Sequence, residues 1–154
     1  MTDTKTETTT TTAPTRIDYQ EATRILTQEI REHGHAVTGW FVGQQVLLLT
    51  TTGAKSGNAR TTPLAYSRDG DAYIVVGSKS GAPTHPAWYF NLLADPTVTV
   101  ETDLEKFQAH ATVAEGAERQ RLWDQHVALH VGIGEYPKKT DRVIPVIVLQ
   151  RIAE

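Results

Sequence analysis

A β-rich apolar run at residues 46–52 is followed, eight residues later, by a second extended run at residues 61–67. The connecting residues 53–60 are small, and they contain two glycines and two cations, Lys55 and Arg60. Two apolar runs joined by so short a loop favour an antiparallel hairpin. Asp69 and Gly70 then give a second hairpin signal, because Asp-Gly suits a two-residue turn.

The loop at residues 53–60 has two interpretations. Glycines relax the backbone, so successive N–H groups can form an anion-binding concavity, and Lys55 and Arg60 would add charges suited to phosphate or carboxylate. The alternative is an ordinary hairpin with solvated basic residues. It is not a P-loop, because the Gly-Lys-Ser/Thr order is absent and a strand, not a helix, follows.

The remaining pattern predicts an α+β, mainly β domain. Apolar spacing predicts a helix from Tyr19, capped by Asp18 and ended by Gly34. The other predicted elements are strands at 46–52, 61–67, 71–78, 98–101, 106–113 and 144–152, and helices at 87–94 and 115–130. Long crossover helices between parallel strands are missing, so six antiparallel strands in a closed or partly split barrel with peripheral helices are expected.

Composition narrows the domain organisation and the function. The Thr-rich residues 1–16 lack apolar residues to bury and are expected to be a disordered tail, which leaves residues 17–154 as one domain. The chain has no cysteine, which excludes disulfides and thiolate chemistry. A net charge of −3 argues against nucleic-acid binding. No secretory or membrane-spanning segment is visible, so we expect a cytoplasmic protein in which any peripheral membrane contact would involve the N-terminal helix.

Three segments resemble one known family. They are LLTTTGAKSGNARTTPL, VVGSKSGAPTHPAWYFNLLADPTVTV and EYPKKTDRVIPVIVLQR, and together they extend over most of residues 47–151. The family is that of the actinobacterial deazaflavin-dependent nitroreductases, which reduce quinones and nitro compounds with reduced coenzyme F420. The resemblance implies a split β-barrel, F420 as cofactor, and a quinone or nitro compound as electron acceptor.

The resemblance also implies a cofactor site built from four segments. Its contacts would be Lys55, Ser56 and Arg60 around the phosphate and acidic tail, Thr62, Pro63 and Leu64 along the deazaflavin ring, Gly77, Ser78 and Lys79 after the third strand, and Ala87, Trp88 and Asn91 on the short helix. For Trp88, a purely structural role in the core is the alternative.

On the acceptor side the chain departs from the family pattern. Nitroimidazole-reducing members carry several tyrosines after the last helix, whereas this chain has His130 and Ile133, then Tyr136. We expect Ser78 and Tyr136 to stabilise the acceptor oxygen that gains charge, unless Tyr136 only covers the barrel mouth. His126 and His130 have metal-ligand spacing, but no HExxH motif accompanies them, and no metal site is predicted.

Two other functions fit the same pattern. One is an FMN-dependent split-barrel oxidoreductase, and the other is a non-catalytic carrier of F420 or another large ligand. A monomer and a homodimer are equally compatible with the sequence.

Overall fold

The computed structural model describes residues 16–39, 41–78, 84–140 and 142–152. The predicted disordered tail, except for Arg16, and the candidate site residue Lys79 lie outside these ranges. The elements, in chain order, are α1 (Arg16–His33), β1 (Val46–Thr52), β2 (Ala59–Ala65), β3 (Ser67–Asp69), β4 (Ala72–Val76), α2 (Ala87–Ala94), β5 (Thr97–Thr102), β6 (Glu105–Val113), α3 (Gly116–Leu129), a 3-10 segment (Val131–Lys139) and β7 (Val146–Arg151).

The prediction of six strands is wrong, because the second extended run divides at Tyr66. The residues before Tyr66 form β2 and pair with β1, whereas the residues after it form β3 and pair with β4. Tyr66 itself donates its N–H to the carbonyl of Gln45 at 3.0 Å, in the register of the β1–β2 pairing, and the chain changes its partner strand directly after this bond. The predicted Asp69-Gly70 turn is confirmed, since Asp69 pairs with Ala72 across it.

All seven described strands form one antiparallel sheet, in the order β2-β1-β5-β6-β7-β4-β3. The strands at its two ends, β2 and β3, are separated in the chain by Tyr66 alone. A sheet whose end strands are one residue apart must curl back on itself. The architecture is therefore mainly β, with a curled antiparallel sheet and helices packed against it.

The alternation of side chains along the strands builds the core on both faces of this sheet. In β4, Tyr73 and Val75 enter the main cluster inside the curl, whereas Ile74 and its alternate neighbours pack under α3. In β6 the predicted alternation is confirmed, with Phe107, Ala109 and Ala111 buried.

The helices α1 and α3 cover the outer surface of the curl, whereas α2 contributes Trp88 and Leu92 to the cluster inside it. Leu26 and Ile30 of α1 pack against Val46 and Leu48 of β1, so the described apolar stripe of this helix faces the sheet. Gly34 ends α1 as predicted, with φ +83°. Asp18 does not cap the start of α1, because the helix already includes Arg16 and no helix-breaking residue lies between Arg16 and Asp18. No helix in the described ranges has the length and apolar character required to cross a membrane.

Gly34 also fits tightly against the turn between β5 and β6. A Cβ at this position would lie 2.9 Å from the backbone nitrogen of Leu104, and the Gly34 carbonyl accepts the N–H of Asp103 at 2.9 Å. Gly43 has nearly the same φ, +84°, but nothing lies within 4 Å of an added Cβ. An alanine at Gly43 would therefore introduce backbone strain alone, whereas an alanine at Gly34 would introduce the same strain and a steric overlap.

We expect Gly43→Ala to lower the free energy of unfolding by about 1–2 kcal/mol, the cost of a left-handed non-glycine residue. Gly34→Ala should cost the same amount plus about 1–3 kcal/mol for overlap with fixed backbone atoms. Urea denaturation of both variants measures the difference. Equal losses of stability would show that the helix end is free to move away from the turn.

Candidate functional site

The edge strand β2 forms the wall of two adjacent pockets. One side of β2 pairs with β1 along its full length, and β2 ends the sheet. Its Pro63 has no N–H to donate, which an edge strand tolerates. Thr62 of β2 and Trp88 of α2 line both pockets, so the pockets meet where these two side chains face each other across the site.

The first pocket, which we name the loop pocket, lies between the 53–60 loop, β2 and α2. It has a volume of about 780 Å³. Its lining residues are Gly53, Ala54, Lys55, Ser56, Ala59, Arg60, Thr61, Thr62, Ala87, Trp88, Phe90 and Asn91. Lys55 and Arg60 are exposed, and neither forms an ion pair with a carboxylate in the described residues. The pocket therefore presents positive charge that is available to an anion.

The loop backbone uses only part of its N–H groups internally. Gly53 donates to the Asn58 carbonyl at 2.7 Å, Gly57 donates to the Gly53 carbonyl at 2.9 Å, and Asn58 donates to Ser56 Oγ at 3.1 Å. The consecutive N–H groups of Lys55 and Ser56 have no acceptor among the described residues. The expected anion-binding concavity is thus reduced to these two amides beside the Lys55 ammonium.

Asn91 holds this loop to α2. Its Oδ1 accepts the N–H of Ala54 at 3.0 Å, and its Nδ2 donates to Thr51 Oγ1 at 3.1 Å. Asn91 is buried, so both ends of its amide are satisfied within the protein. Asn91 lines the loop pocket as predicted, but its amide positions the loop.

The second pocket, the apolar pocket, lies between β2, α2 and the 3-10 segment and has a volume of about 680 Å³. Its lining contains no Asp, Glu, Lys or Arg among the described residues. The residues are Phe41, Gln44, Thr62, Pro63, Leu64, Ala65, Val76, Ser78, Pro86, Trp88, Leu129, His130, Val131, Gly132, Ile133 and Tyr136. Its composition suits a flat apolar ring with a few polar atoms at the edge.

Arg142 positions Ser78 at the wall of the apolar pocket. Its guanidinium donates to the Gly77 carbonyl at 3.0 Å and to the Ser78 carbonyl at 2.8 Å. It also donates to His85 Nδ1 at 3.0 Å, which places the proton of neutral His85 on Nε2. Burial, with a further contribution from the Arg142 charge, lowers the pKa of His85.

His126 and His130 fasten the end of α3 to the junction between β2 and β3. His126 Nδ1 lies 2.8 Å from the Ser67 hydroxyl, and His130 Nε2 lies 2.8 Å from the Tyr66 carbonyl. The two rings are 4.9 Å apart. Burial, followed by the neighbouring His130, lowers the pKa of His126 to about 4. His126 is therefore a neutral core residue at physiological pH, and one ring nitrogen of each histidine is bonded within the protein.

The structure brings most of the predicted site residues together along β2 and α2. Lys55, Ser56, Arg60, Ala87 and Asn91 line the loop pocket; Pro63, Leu64, Ser78 and Tyr136 line the apolar pocket; Thr62 and Trp88 line both. Gly77 lines neither pocket, because it is buried and an added Cβ would meet the Pro145 side chain at 2.9 Å. Trp88 also belongs to the main core cluster, as the structural alternative for this residue expects, while it lines both pockets.

Sequence reasoning missed Phe90, Arg142 and the pocket-lining role of Leu129, Val131 and Gly132. Phe90 is exposed at the loop pocket although its helix is dense in apolar residues, and helical spacing alone does not identify that exposure. Arg142 lies in one of the quoted family segments, yet only the fold places its side chain against Gly77 and Ser78.

A model of the F420H(2)-dependent quinone reductase family matches residues 22–151. The chain belongs to that family. As a member of the F420H(2)-dependent quinone reductases it is an oxidoreductase, and its cofactor is reduced coenzyme F420.

Individual relatives agree with this membership. An F420H(2)-dependent quinone reductase of Mycobacterium tuberculosis is 40% identical over 121 residues, which cover 77% of this chain and 79% of the relative. A solved structure of an F420-H2 dependent reductase is 42% identical with a TM-score of 0.64, over 68% of this chain and 93% of the other. Another solved structure, described as a domain-swapped dimer, is 37% identical with a TM-score of 0.67, over 90% of this chain and 100% of the other.

The buried His126 predicts how stability depends on pH. Its pKa of about 4 in the folded chain lies below the ordinary value of 6.5, so the unfolded state takes up the proton first as the pH falls. The stability contributed by neutral His126 should be fully present well above pH 6.5 and should decline towards pH 4, by a total on the order of 3 kcal/mol.

His126→Asn is the matched control, because an Asn side chain can bond Ser67 from the position of Nδ1 and does not titrate. Urea denaturation between pH 7 and pH 4.5 should show a steeper loss of stability for the natural chain than for this variant. Parallel pH profiles would mean that His126 is protonated in the folded state as readily as in the unfolded state.

Proposed function

We propose that the loop pocket holds the phosphate and acidic tail of F420, and that the apolar pocket holds the deazaflavin ring with a quinone stacked on it. The separation of charge between the two pockets carries this proposal. Two exposed cations, Lys55 and Arg60, line the loop pocket, whereas no Lys, Arg, Asp or Glu of the described chain lines the apolar pocket. A cofactor with an anionic tail and a flat ring matches that division.

The residues present fit the cofactor. The free N–H groups of Lys55 and Ser56 suit a phosphate, and the forked guanidinium of Arg60 suits a phosphate or a carboxylate. Thr62 and Trp88, which line both pockets, would adjoin the link between tail and ring. The curled sheet, with its end strands joined at Tyr66, supports a split β-barrel as the finer description of the fold.

When bound, the reduced cofactor supplies a hydride. The protein would bind and orient the two reactants, and the apolar walls of the second pocket would exclude water. Ser78, held through its carbonyl by Arg142, and Tyr136 would donate hydrogen bonds to the acceptor oxygen as it gains negative charge. A nitro compound presents similar oxygen atoms, so nitro reduction belongs to the same proposal.

Titration with F420 and with FMN tests the choice of cofactor, and the same titrations of two loop variants test whether the loop binds the cofactor's charged tail. F420 should bind more tightly than FMN, and Arg60→Ala should weaken F420 binding roughly ten- to a hundredfold, because a charge-assisted contact is lost. Lys55→Ala should have a smaller effect, since water replaces a point charge more easily. Fluorescence titration measures each dissociation constant.

Lys106→Ala is the matched control for charge. Lys106 is exposed on β6, lines neither pocket and carries the same charge as Arg60. F420 affinity that falls equally in Lys106→Ala and Arg60→Ala would indicate only a long-range effect of net charge. An unchanged affinity in Arg60→Ala would return the loop to the solvated-hairpin interpretation.

A second experiment separates a reductase from a carrier. Tyr136→Phe keeps the ring and removes the hydroxyl, so F420 affinity should persist while menadione reduction slows by roughly ten- to a thousandfold. Tyr89→Phe is the matched control, because Tyr89 lines neither pocket. Oxidation of reduced F420, followed by absorbance, measures both variants.

Three results are distinguishable. A carrier would show no F420-dependent turnover even in the natural chain. A reductase in which Tyr136 only covers the pocket would keep full turnover in Tyr136→Phe. A loss confined to Tyr136→Phe, with Tyr89→Phe unchanged, is the result that we expect.

A further inference from the structure

His130 combines two features that no other residue of the apolar pocket shares. It lies directly after α3, where it lines the pocket and is 8% exposed. Its Nε2 lies 2.8 Å from the Tyr66 carbonyl, which can only accept a hydrogen bond. Nε2 must therefore carry a proton in either charge state of the ring, and the orientation of the ring is fixed by this bond.

The second ring nitrogen, Nδ1, has no hydrogen-bond partner among the described residues. Nδ1 is also accessible to solvent, because it is not among the fully buried side-chain nitrogens that lack a hydrogen-bond partner. The described side-chain nitrogens that are fully buried without a partner are Arg119 Nε and His126 Nε2. Nδ1 is thus the polar atom of His130 that remains accessible, on a residue that lines the apolar pocket.

The surroundings make His130 the proton carrier of this pocket. The imidazole ring has two nitrogens, so Nδ1 can give up a proton while Nε2 keeps its bond to the Tyr66 carbonyl, whereas the Ser78 and Tyr136 hydroxyls carry one proton each. Its closest titratable neighbour, His126, has a pKa of about 4 and is therefore neutral at physiological pH. No Lys, Arg, Asp or Glu of the described chain lines the pocket.

We infer that His130 is a catalytic residue, which delivers from Nδ1 the proton that completes reduction of the acceptor. This inference rests on the proposed reduction of a quinone.

Conversion of a quinone to a hydroquinone takes one hydride and one proton. With the reduced cofactor bound, the hydride that it supplies would leave the quinone as a hydroquinone anion. The Nδ1–H bond of the imidazolium then breaks, an O–H bond forms, and the ring is neutral with its Nε2 proton still on the Tyr66 carbonyl. Water protonates Nδ1 again before the next turnover.

His130→Gln separates this role from a structural one. The Gln side-chain amide can donate to the Tyr66 carbonyl from the position of Nε2, but it cannot deliver a proton. We expect the kcat for menadione to fall about a hundredfold or more. F420 affinity should stay within about twofold of the natural value, because this variant keeps Lys55 and Arg60, to which the proposed function assigns the charged tail of the cofactor. Full turnover in His130→Gln, with the fold intact, would overturn the inference.

Chemical rescue gives a second readout. In His130→Ala, added imidazole should restore part of the turnover, in proportion to the concentration of imidazolium. A structural role predicts that imidazole has no effect. Inactivity of the natural chain with reduced F420 and menadione would overturn the proposed function and this inference with it. Activity of the natural chain without an effect in either variant would overturn the role of His130 alone.

The natural chain provides a test that needs no substitution. Nitrogen NMR of the chain labelled at histidine should show His130 protonated at Nε2. The His130 Nδ1 signal should then shift when menadione is added to the complex with oxidised F420, which cannot react. A signal that stays in place, while menadione is bound, would contradict the assignment of Nδ1 to the acceptor.

Discussion

The junction at Tyr66 is the constraint on which the rest of the structure depends. The two end strands of the curled sheet meet there, and three side-chain or backbone bonds hold the turn. Tyr66 donates to the Gln45 carbonyl and accepts from His130, and the next residue, Ser67, bonds His126. These bonds tie the junction to α3 on the outer surface. Because β2 ends at this junction, the same contacts also fix the position of β2 relative to the two pockets.

The two pockets of the site lie towards opposite ends of β2 and are held in place by different side chains. At one end of β2, Asn91 holds the cationic loop against α2. At the other end, Arg142 holds Ser78 at the wall of the apolar pocket, which residues of the 3-10 segment also line. Each supporting side chain is buried or half-buried and bonds the backbone that it positions. Such support from residues behind the pocket wall keeps a binding site in place before its ligand arrives.

Local signals in the sequence identified the elements that depend on few neighbours. Gly34 ends α1, Asp69-Gly70 turns the chain, and the alternation in β6 marks its buried face. The division at Tyr66 could not be predicted, because it depends on bonds to residues far away in the chain. Most of the residues that the resemblance selected line one of the two pockets. It did not distinguish Asn91, whose amide is satisfied internally, or Gly77, which packs on Pro145, from residues that face the pockets.

A crystal structure of the chain with bound F420 would test the central claim most directly. The account predicts that the phosphate and acidic tail lie beside Lys55 and Arg60 and that the ring passes between Thr62 and Trp88 into the apolar pocket. Electron density for the tail against the 3-10 segment, or for the ring in the loop pocket, would contradict it.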